Sequence, residues 1–320
     1  MGFEADVQQM KIEMFGDDSD EGGPRIFAIG GGKGGVGKSV LAANLGVVLA
    51  KRREKVVVVD ADLGGANLHT IFGMPDPELS LTDYIEGKVA NLAEIVLDTS
   101  VPGLHLVSGA HALLEMANPK HGQKHKILRH IRKLAADYVI LDLGAGSGIN
   151  VLDFFLASHR GILIVVPEPT SVENAYHFIN AAFARKLKQT EPRKKIAAAL
   201  EKVGASRVGK APVSARDLVA EVMVVDPEAG AAVLAAAATF AASIVVNRST
   251  SASHDRLAAE MSMACRDYYG IGVDALGTLP TDPMVARSVI DREPVAAVHP
   301  DSPFAGAVRR MAAALTSEES

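Results

Sequence analysis

Short runs of apolar, largely β-branched residues recur along the chain at Ile26–Ile29, Val56–Val59, Leu104–Val107, Tyr138–Leu141, Ile162–Val166, Ile244–Val246 and Val273–Leu279. The stretches between them carry apolar residues at helical intervals. After the first run, Val40, Leu41, Leu45, Val48 and Leu49 fall on one side of a helix. This alternation predicts right-handed crossovers and hence an α/β fold, a mostly parallel β-sheet with helices on both faces, in a single domain. Ligands on such sheets sit beyond the carboxyl ends of the strands, so the residues just after each run are the first place to look for chemistry. Residues 190–242 interrupt the pattern with an Ala-rich, mixed-charge stretch broken at Pro192, Pro212 and Pro227. It predicts two or three helices inserted into a domain that spans 25–320. Near the end of the chain Phe304, Val308, Met311 and Leu315 form one stripe, read as the core face of a last helix although Arg309 and Arg310 lie beside it.

Composition adds limits. Of 320 residues, 48% are hydrophobic, enough to bury a large core. No stretch reaches the roughly 18 uninterrupted apolar residues of a membrane span and no signal segment leads the chain, so a cytoplasmic protein is expected. Cys265, the single cysteine, fits a reducing compartment and excludes an intrachain disulfide. Within residues 1–24 Glu4, Asp6, Glu13, Asp17, Asp18, Asp20 and Glu21 are answered only by Lys11, a net charge of −6, which leaves the rest of the chain at +1 because the whole carries −5. Such a segment predicts a disordered acidic N-terminal tail.

The chemistry gathers at the strand ends. Residues 30–39 fit the phosphate-cradling pattern GxxxxGK[ST] of P-loop NTPases and hold a second lysine inside it. In such a loop Gly32, Gly34, Gly35, Val36 and Gly37 turn backbone N–H groups around an anion, and the helix starting near Val40 presents its positive end to the same phosphates. Lys38 would lie along the β- and γ-phosphates of ATP and the Ser39 hydroxyl would join Mg²⁺. Asp60 and Asp142 each follow an apolar run. Asp142 reads as the acid that holds Mg²⁺ through water, and Gly146 as the place where a loop backbone approaches the γ-phosphate. An Asp at a strand end is also a common turn residue or helix cap, and it is the phosphate loop that favours the metal reading here.

The loop with Lys33 and Lys38, the run Val59, Asp60, Ala61, Asp62 with Asn67, and Asp142 to Gly146 together resemble the deviant Walker A ATPases of the MinD/ParA class over nearly the whole chain. Within that class the run Val59–Asn67, Leu81–Tyr84, Leu279–Pro283 and the tail Pro294–Arg310 are most similar to the flagellar-number regulators of the FlhG/FleN type. The resemblance implies an ATP-bound homodimer in which Lys33 reaches the partner's phosphates, making slow ATP hydrolysis conditional on assembly. It implies that Asp62 orients the attacking water and borders the metal, that Asp60 supports the metal shell, that Asn67 fixes the switch segment, and that Asn247, Arg248, Pro280 and Asp282 border the adenine. A Mg-dependent switch governing the number or placement of a flagellar or polar structure, acting with a protein partner or activator, is then expected; the alternative is a DNA-binding partition ATPase.

Several features depart from that class. The C-terminal stripe ends in an acidic tail, so membrane contact is expected to be transient at most. Asp6–Met10 does not match the glutamine-and-arginine segment with which FlhG proteins activate a partner GTPase. Between Asn118 and Leu134, Lys120, Lys124, Lys126, Arg129, Arg132 and Lys133 occur without an acid, a basic helix that would suit nucleic acid phosphates or simply be a solvated face. His121 and His125 have the i,i+4 spacing of metal ligands but lack a third ligand nearby. A cluster carrier on this scaffold would need paired cysteines, and Cys265 alone supplies too few.

Overall fold

The structure, a computed structural model, describes residues 23–62, 65, 67–109, 121–206 and 215–317. The acidic segment before Gly23, Lys120 and the side chain of His121 therefore lie outside the described residues.

Among the described residues eight strands form one sheet: β1 (Arg25–Gly30), β2 (Val56–Ala61), β3 (Val96–Asp98), β4 (Leu104–Val107), β5 (Tyr138–Leu143), β6 (Arg160–Val165), β7 (Ala242–Ser249) and β8 (Val273–Pro280). Their order is β3-β4-β2-β5-β1-β6-β7-β8. Every pairing is parallel except that of β3 with β4. The expected α/β architecture is the one observed. Strand β3 was not legible in the sequence, being three half-exposed residues between a 3₁₀ turn and a loop.

The longer helices are α1 (Lys38–Ala50), α2 (His121–Ile131), α3 (Ile149–Leu156), α4 (Pro169–Gln189), α5 (Arg193–Ser206), α6 (Ala215–Val225), α7 (Pro227–Ala238), α8 (Ala252–Tyr269), α9 (Pro283–Asp291) and α10 (Pro303–Ser317). Alternation along the strands divides the core in two. Ile26, Ala28, Val57, Val59, Val139 and Leu141 face the layer of α2, α3, α4 and α8, where Ile127, Phe155, Phe178 and Met261 are buried. Phe27, Ile29, Val56, Val58 and Ile140 face α1 and α10. The C-terminal stripe Phe304, Val308, Met311 and Leu315 is buried there, so it is the core face of the last helix. Helices α5, α6 and α7 fill the 190–242 stretch and close a small core of their own around Ile196, Val203, Val222 and Val233.

One buried polar knot joins the helices of the first layer. Asp153 of α3 accepts hydrogen bonds from Lys124, Arg185 and Gln189. Burial alone would raise its pKa, but the Arg185 and Lys124 bonds outweigh it and hold the carboxyl below its usual range. Lys124 is thereby removed from the solvated face of the basic helix.

Candidate functional site

Strand β1 ends at Gly30 and α1 begins at Lys38, with the Gly-rich loop between them at the carboxyl edge of the sheet. The residue before α1 is Gly37, at φ 101°, and no side chain caps the helix. Its first N–H groups are therefore left for an anion, with the helix dipole behind them. A side chain at Gly37 is excluded twice: by the left-handed backbone, and by Asn247 Nδ2, which a Cβ there would approach to 2.5 Å.

Asn247 and Arg248, at the end of β7, brace this loop directly. Asn247 Nδ2 donates to the Val36 carbonyl at 2.8 Å and Arg248 donates to the Gly35 carbonyl at 2.9 Å. On the other side the Gly146 N–H donates to the Gly31 carbonyl at 3.0 Å. Gly32 packs on α4, where a Cβ would meet the Asn174 carbonyl at 2.4 Å. The loop is thus held at four points by the protein's own groups, the kind of bracing that lowers the cost of binding a ligand. Val36 and Lys38 are buried, while Lys33, Gly34 and Gly35 are exposed.

The carboxylates lie beside the loop on adjacent strands. Asp60 of β2 and Asp142 of β5 are in register, and both are almost fully buried. Asp60 accepts from the N–H groups of Asp62, Asn67 and Leu68 at 3.2, 2.9 and 3.0 Å. Burial nevertheless pushes its pKa up to about 6, with Asp62 adding to the rise and those N–H groups opposing it. Asp142 accepts from the Ser39 hydroxyl; its pKa is pushed up to about 8, first by burial and then by the charge of Asp60. Its Oδ1 is buried without a hydrogen-bond partner. An orphaned carboxylate oxygen beside a serine hydroxyl and Lys38 fits a hard, water-bearing cation such as Mg²⁺. Asp62 sits against Gly144, whose Cβ would be 3.1 Å from Asp62 Oδ1. Asn67 closes the segment with Nδ2 on the Gly65 carbonyl at 2.6 Å.

The remaining residues divide. Lys33 Nζ is 3.1 Å from Glu168 Oε2, both side chains about half exposed at 45% and 51%. Glu168 was not singled out from the sequence, although it follows the run Ile162–Val166 closely, the position where chemistry was to be sought. Asp282 is engaged in architecture: it accepts from Met284 N–H at the start of α9 and from Phe304 N–H at the start of α10. Pro280 pairs with Ser249 at the ends of β8 and β7, beside Arg248. Among the described residues no group of three His, Cys, Asp or Glu side chains could hold a metal by itself, and no helix is long and apolar enough to cross a membrane. The sequence reading also missed a groove of about 680 Å³ between α4 and α8, lined by Glu168, Val172, Tyr176, His254 and Tyr269.

Residues 27–295 match the family model described as the CobQ/CobB/MinD/ParA nucleotide binding domain. The chain is similar to the antiactivator FleN of Pseudomonas aeruginosa, 33% identical over 48% of this chain and 55% of FleN. It is also similar to the flagellum site-determining protein YlxH of Helicobacter pylori, 34% identical over 49% of this chain and 53% of YlxH. The chain thus spans about half the length of these two relatives. Its fold is similar to that of the septum site-determining protein MinD from Pyrococcus horikoshii complexed with Mg-ADP, with a TM-score of 0.63, 22% identity, and coverage of 92% of this chain and 97% of that one.

Proposed function

The chain belongs to the CobQ/CobB/MinD/ParA nucleotide-binding family, and from that membership we propose that it is a Mg-dependent ATP-binding and ATP-hydrolysing dimerisation switch. Through that cycle it regulates the number or placement of a cellular structure of the flagellar or polar kind. The unit that acts is residues 25–320, with 190–242 as an insertion, in the cytoplasm with a protein activator.

One observation carries the reading. Lys38 is buried among the phosphate-loop groups, whereas Lys33, five residues earlier in the same loop, is exposed and among the described residues is tied to the exposed Glu168. A lysine placed to serve its own site would not be held at the rim. One placed to serve a second copy would, and a trans cation makes hydrolysis depend on assembly.

In this reading the backbone of Gly32 to Val40 receives the phosphates, with Lys38 neutralising them. Ser39 and Asp142 hold the cation, Asp60 fixes the segment that carries Asp62 and Asn67, and Asp62 orients the water. Mg²⁺, when bound, supplies charge neutralisation of the phosphates. Gly146 stands where the third phosphate arrives, and Asn247, Arg248, Pro280 and Asp282 border the base. Likeness to FleN and YlxH, whose names refer to flagella, supports the choice of structure regulated. The test is light scattering of wild type, Lys33→Ala and Asp62→Ala with Mg·ATP and with Mg·ADP. Wild type is expected to dimerise with ATP only, Lys33→Ala to remain monomeric, and Asp62→Ala to dimerise without turnover. A wild type that stays monomeric with ATP, alongside an Asp62→Ala variant that hydrolyses normally, refutes the reading.

A second reading, a partition ATPase on DNA, is favoured by the basic α2. It requires ATP-dependent, strongly salt-sensitive binding to nonspecific DNA.

A further inference from the structure

Three cations on α2 and the turn after it stand without a carboxylate partner among the described residues. Lys126 and Arg129 are one turn apart on α2, at i and i+3, and Lys133 follows in the turn after the helix ends at Ile131. Arg129 and Lys133 are exposed, and Lys126 Nζ lies 4.7 Å from the centroid of the Tyr84 ring. The neighbouring cations are already engaged, Lys124 with Asp153 and Arg132 with the Ala157 carbonyl at 3.5 Å. Burial, followed by the charges of Arg129, Lys126 and Lys133, holds His130 below its usual range. Behind burial, the three charges act on His130 in the same direction, with no carboxylate among the causes to oppose them.

The chain itself delivers the opposite charge to this corner. Gly23, the first described residue, lies against the carbonyl of Arg132, which a Cβ at Gly23 would approach to 3.1 Å. The next residue, Pro24, is buried, which fixes the point of entry. The residues before Gly23 hold seven acids and one base. Asp17, Asp18, Asp20 and Glu21 lie two to six residues from Gly23, a reach of about 20 Å for extended chain. From Lys126 to the end of α2 at Ile131 is about 8 Å at helical rise, and the two residues on to Lys133 add at most about 7 Å. Four carboxylates on so short a tether have a high effective concentration at this basic patch, which an untethered polyanion must overcome.

We propose that the acidic segment preceding Gly23 docks on the Lys126, Arg129 and Lys133 patch of its own chain and occupies that anion-binding surface in place of nucleic acid. The basic helix is then an internal receptor for the N-terminal segment. Release of the segment, by salt or by a competing cationic partner, would expose the patch.

Zero-length carbodiimide coupling of the full chain, read by peptide mass spectrometry, joins a carboxylate to a lysine amine only where the two touch. At low salt, links from Lys126 and Lys133 to Asp17, Asp18, Asp20 or Glu21 are expected to exceed links from the exposed Lys202 by about fivefold or more, and to fall by a similar factor at about 0.5 M NaCl, where the Debye length is a few ångström. Arg129→Glu leaves both lysine amines in place at an exposed site and is expected to cut the yield by about threefold or more; circular dichroism confirms that it folds. Mixing isotope-labelled with unlabelled chain assigns each link to one molecule or two. Absent links, links indifferent to both salt and Arg129→Glu, or links formed only between two copies overturn the proposal. So does loss of the links on adding an equimolar single-stranded DNA of about 20 nucleotides, which would make the patch a nucleic acid surface first.

Discussion

Asp142→Asn is expected to stabilise the nucleotide-free protein at alkaline pH. Asp142 is buried, has one oxygen without a hydrogen-bond partner, and faces Asp60 across adjacent strands. Its pKa rises from 3.8 to about 8 and that of Asp60 from 3.8 to about 6. A carboxyl with a raised folded-state pKa contributes stability that is fully present below the unfolded value and is lost as pH rises through the folded value. For Asp60 that loss is largely complete near pH 6, whereas for Asp142 it continues to about pH 8. Between pH 6 and pH 8 Asp142 is therefore the main contributor of the two. At about 1.4 kcal/mol per pKa unit, wild type should lose about 3 kcal/mol over that interval. An asparagine keeps the shape and has no proton to lose. Urea denaturation in EDTA at pH 6 and pH 8 checks the difference between the two proteins, in which contributions common to both, such as that of His130, cancel. Equal pH dependence in wild type and variant, or a variant less stable than wild type at pH 8, would refute the reasoning. Saturating Mg-nucleotide should remove the penalty in wild type alone, because only the carboxylate gains from a cation.

Lys33→Ala should change monomer stability by less than about 0.5 kcal/mol in urea, since its ion pair with Glu168 is half exposed on both sides, yet lower ATP turnover by about 10³-fold or more in a phosphate-release assay. Gly37→Ala, at φ 101° with Asn247 Nδ2 in the way of the new methyl group, should cost about 1–3 kcal/mol and abolish Mg·ADP binding by calorimetry. Asp153→Ala leaves Lys124 and Arg185 uncompensated and should cost about 3–5 kcal/mol in chemical denaturation. The pKa of Asp153 is lowered in the fold, so in wild type its contribution is present above the unfolded carboxyl value and is lost as pH falls through the lower, folded value.

The central strands were legible because each is an uninterrupted apolar run buried on both faces, a pattern that survives without knowledge of neighbours. Val56 to Val59 is one example, with alternate valines facing the two cores. Strand β3 was not legible, because Val96–Asp98 is too short for periodicity and is held by its pairing with Leu106 and its neighbours. At the site, local spacing revealed Lys33, Lys38 and Ser39, since loop and helix start are contiguous in the chain. What spacing could not reveal were contacts made across the sheet: Asn174 under Gly32, Glu168 on Lys33, and Asp282 spent on two helix starts. Apart from the local bond from Met284 N–H to Asp282, each joins residues more than 20 positions apart, where sequence pattern carries no distance. The basic stretch divides for a related reason. Its charges are contiguous in sequence, but Lys124 and Arg132 turn toward α3 and the residues just after it, and among the described residues Lys126, Arg129 and Lys133 are left for other partners.

Asp60 and Asp142 show why identical residues at identical strand positions acquire different work. Both end apolar runs, and they stand opposite each other in the ladder. What differs is the chain that follows. After Asp60 the backbone turns back so that the N–H groups of Asp62, Asn67 and Leu68 all point at its carboxylate. Three donors nearly exhaust that carboxylate, and its charge is spent on fixing both ends of the segment that carries Asp62. After Asp142 the chain runs on through Gly144 to Gly146, whose N–H goes to Gly31 rather than back to the carboxylate. Asp142 is left with the Ser39 hydroxyl and one empty oxygen. A charge buried in that condition is unstable until a cation arrives, whereas Asp60 is already largely satisfied. In the proposed function the energy that a bound cation returns is therefore concentrated at Asp142, with the Asp62 carboxylate close by, against Gly144. A Cβ at position 144 would come within 3.1 Å of Asp62 Oδ1, so a glycine there is what lets the segment that carries Asp62 pack this close to the loop that follows Asp142.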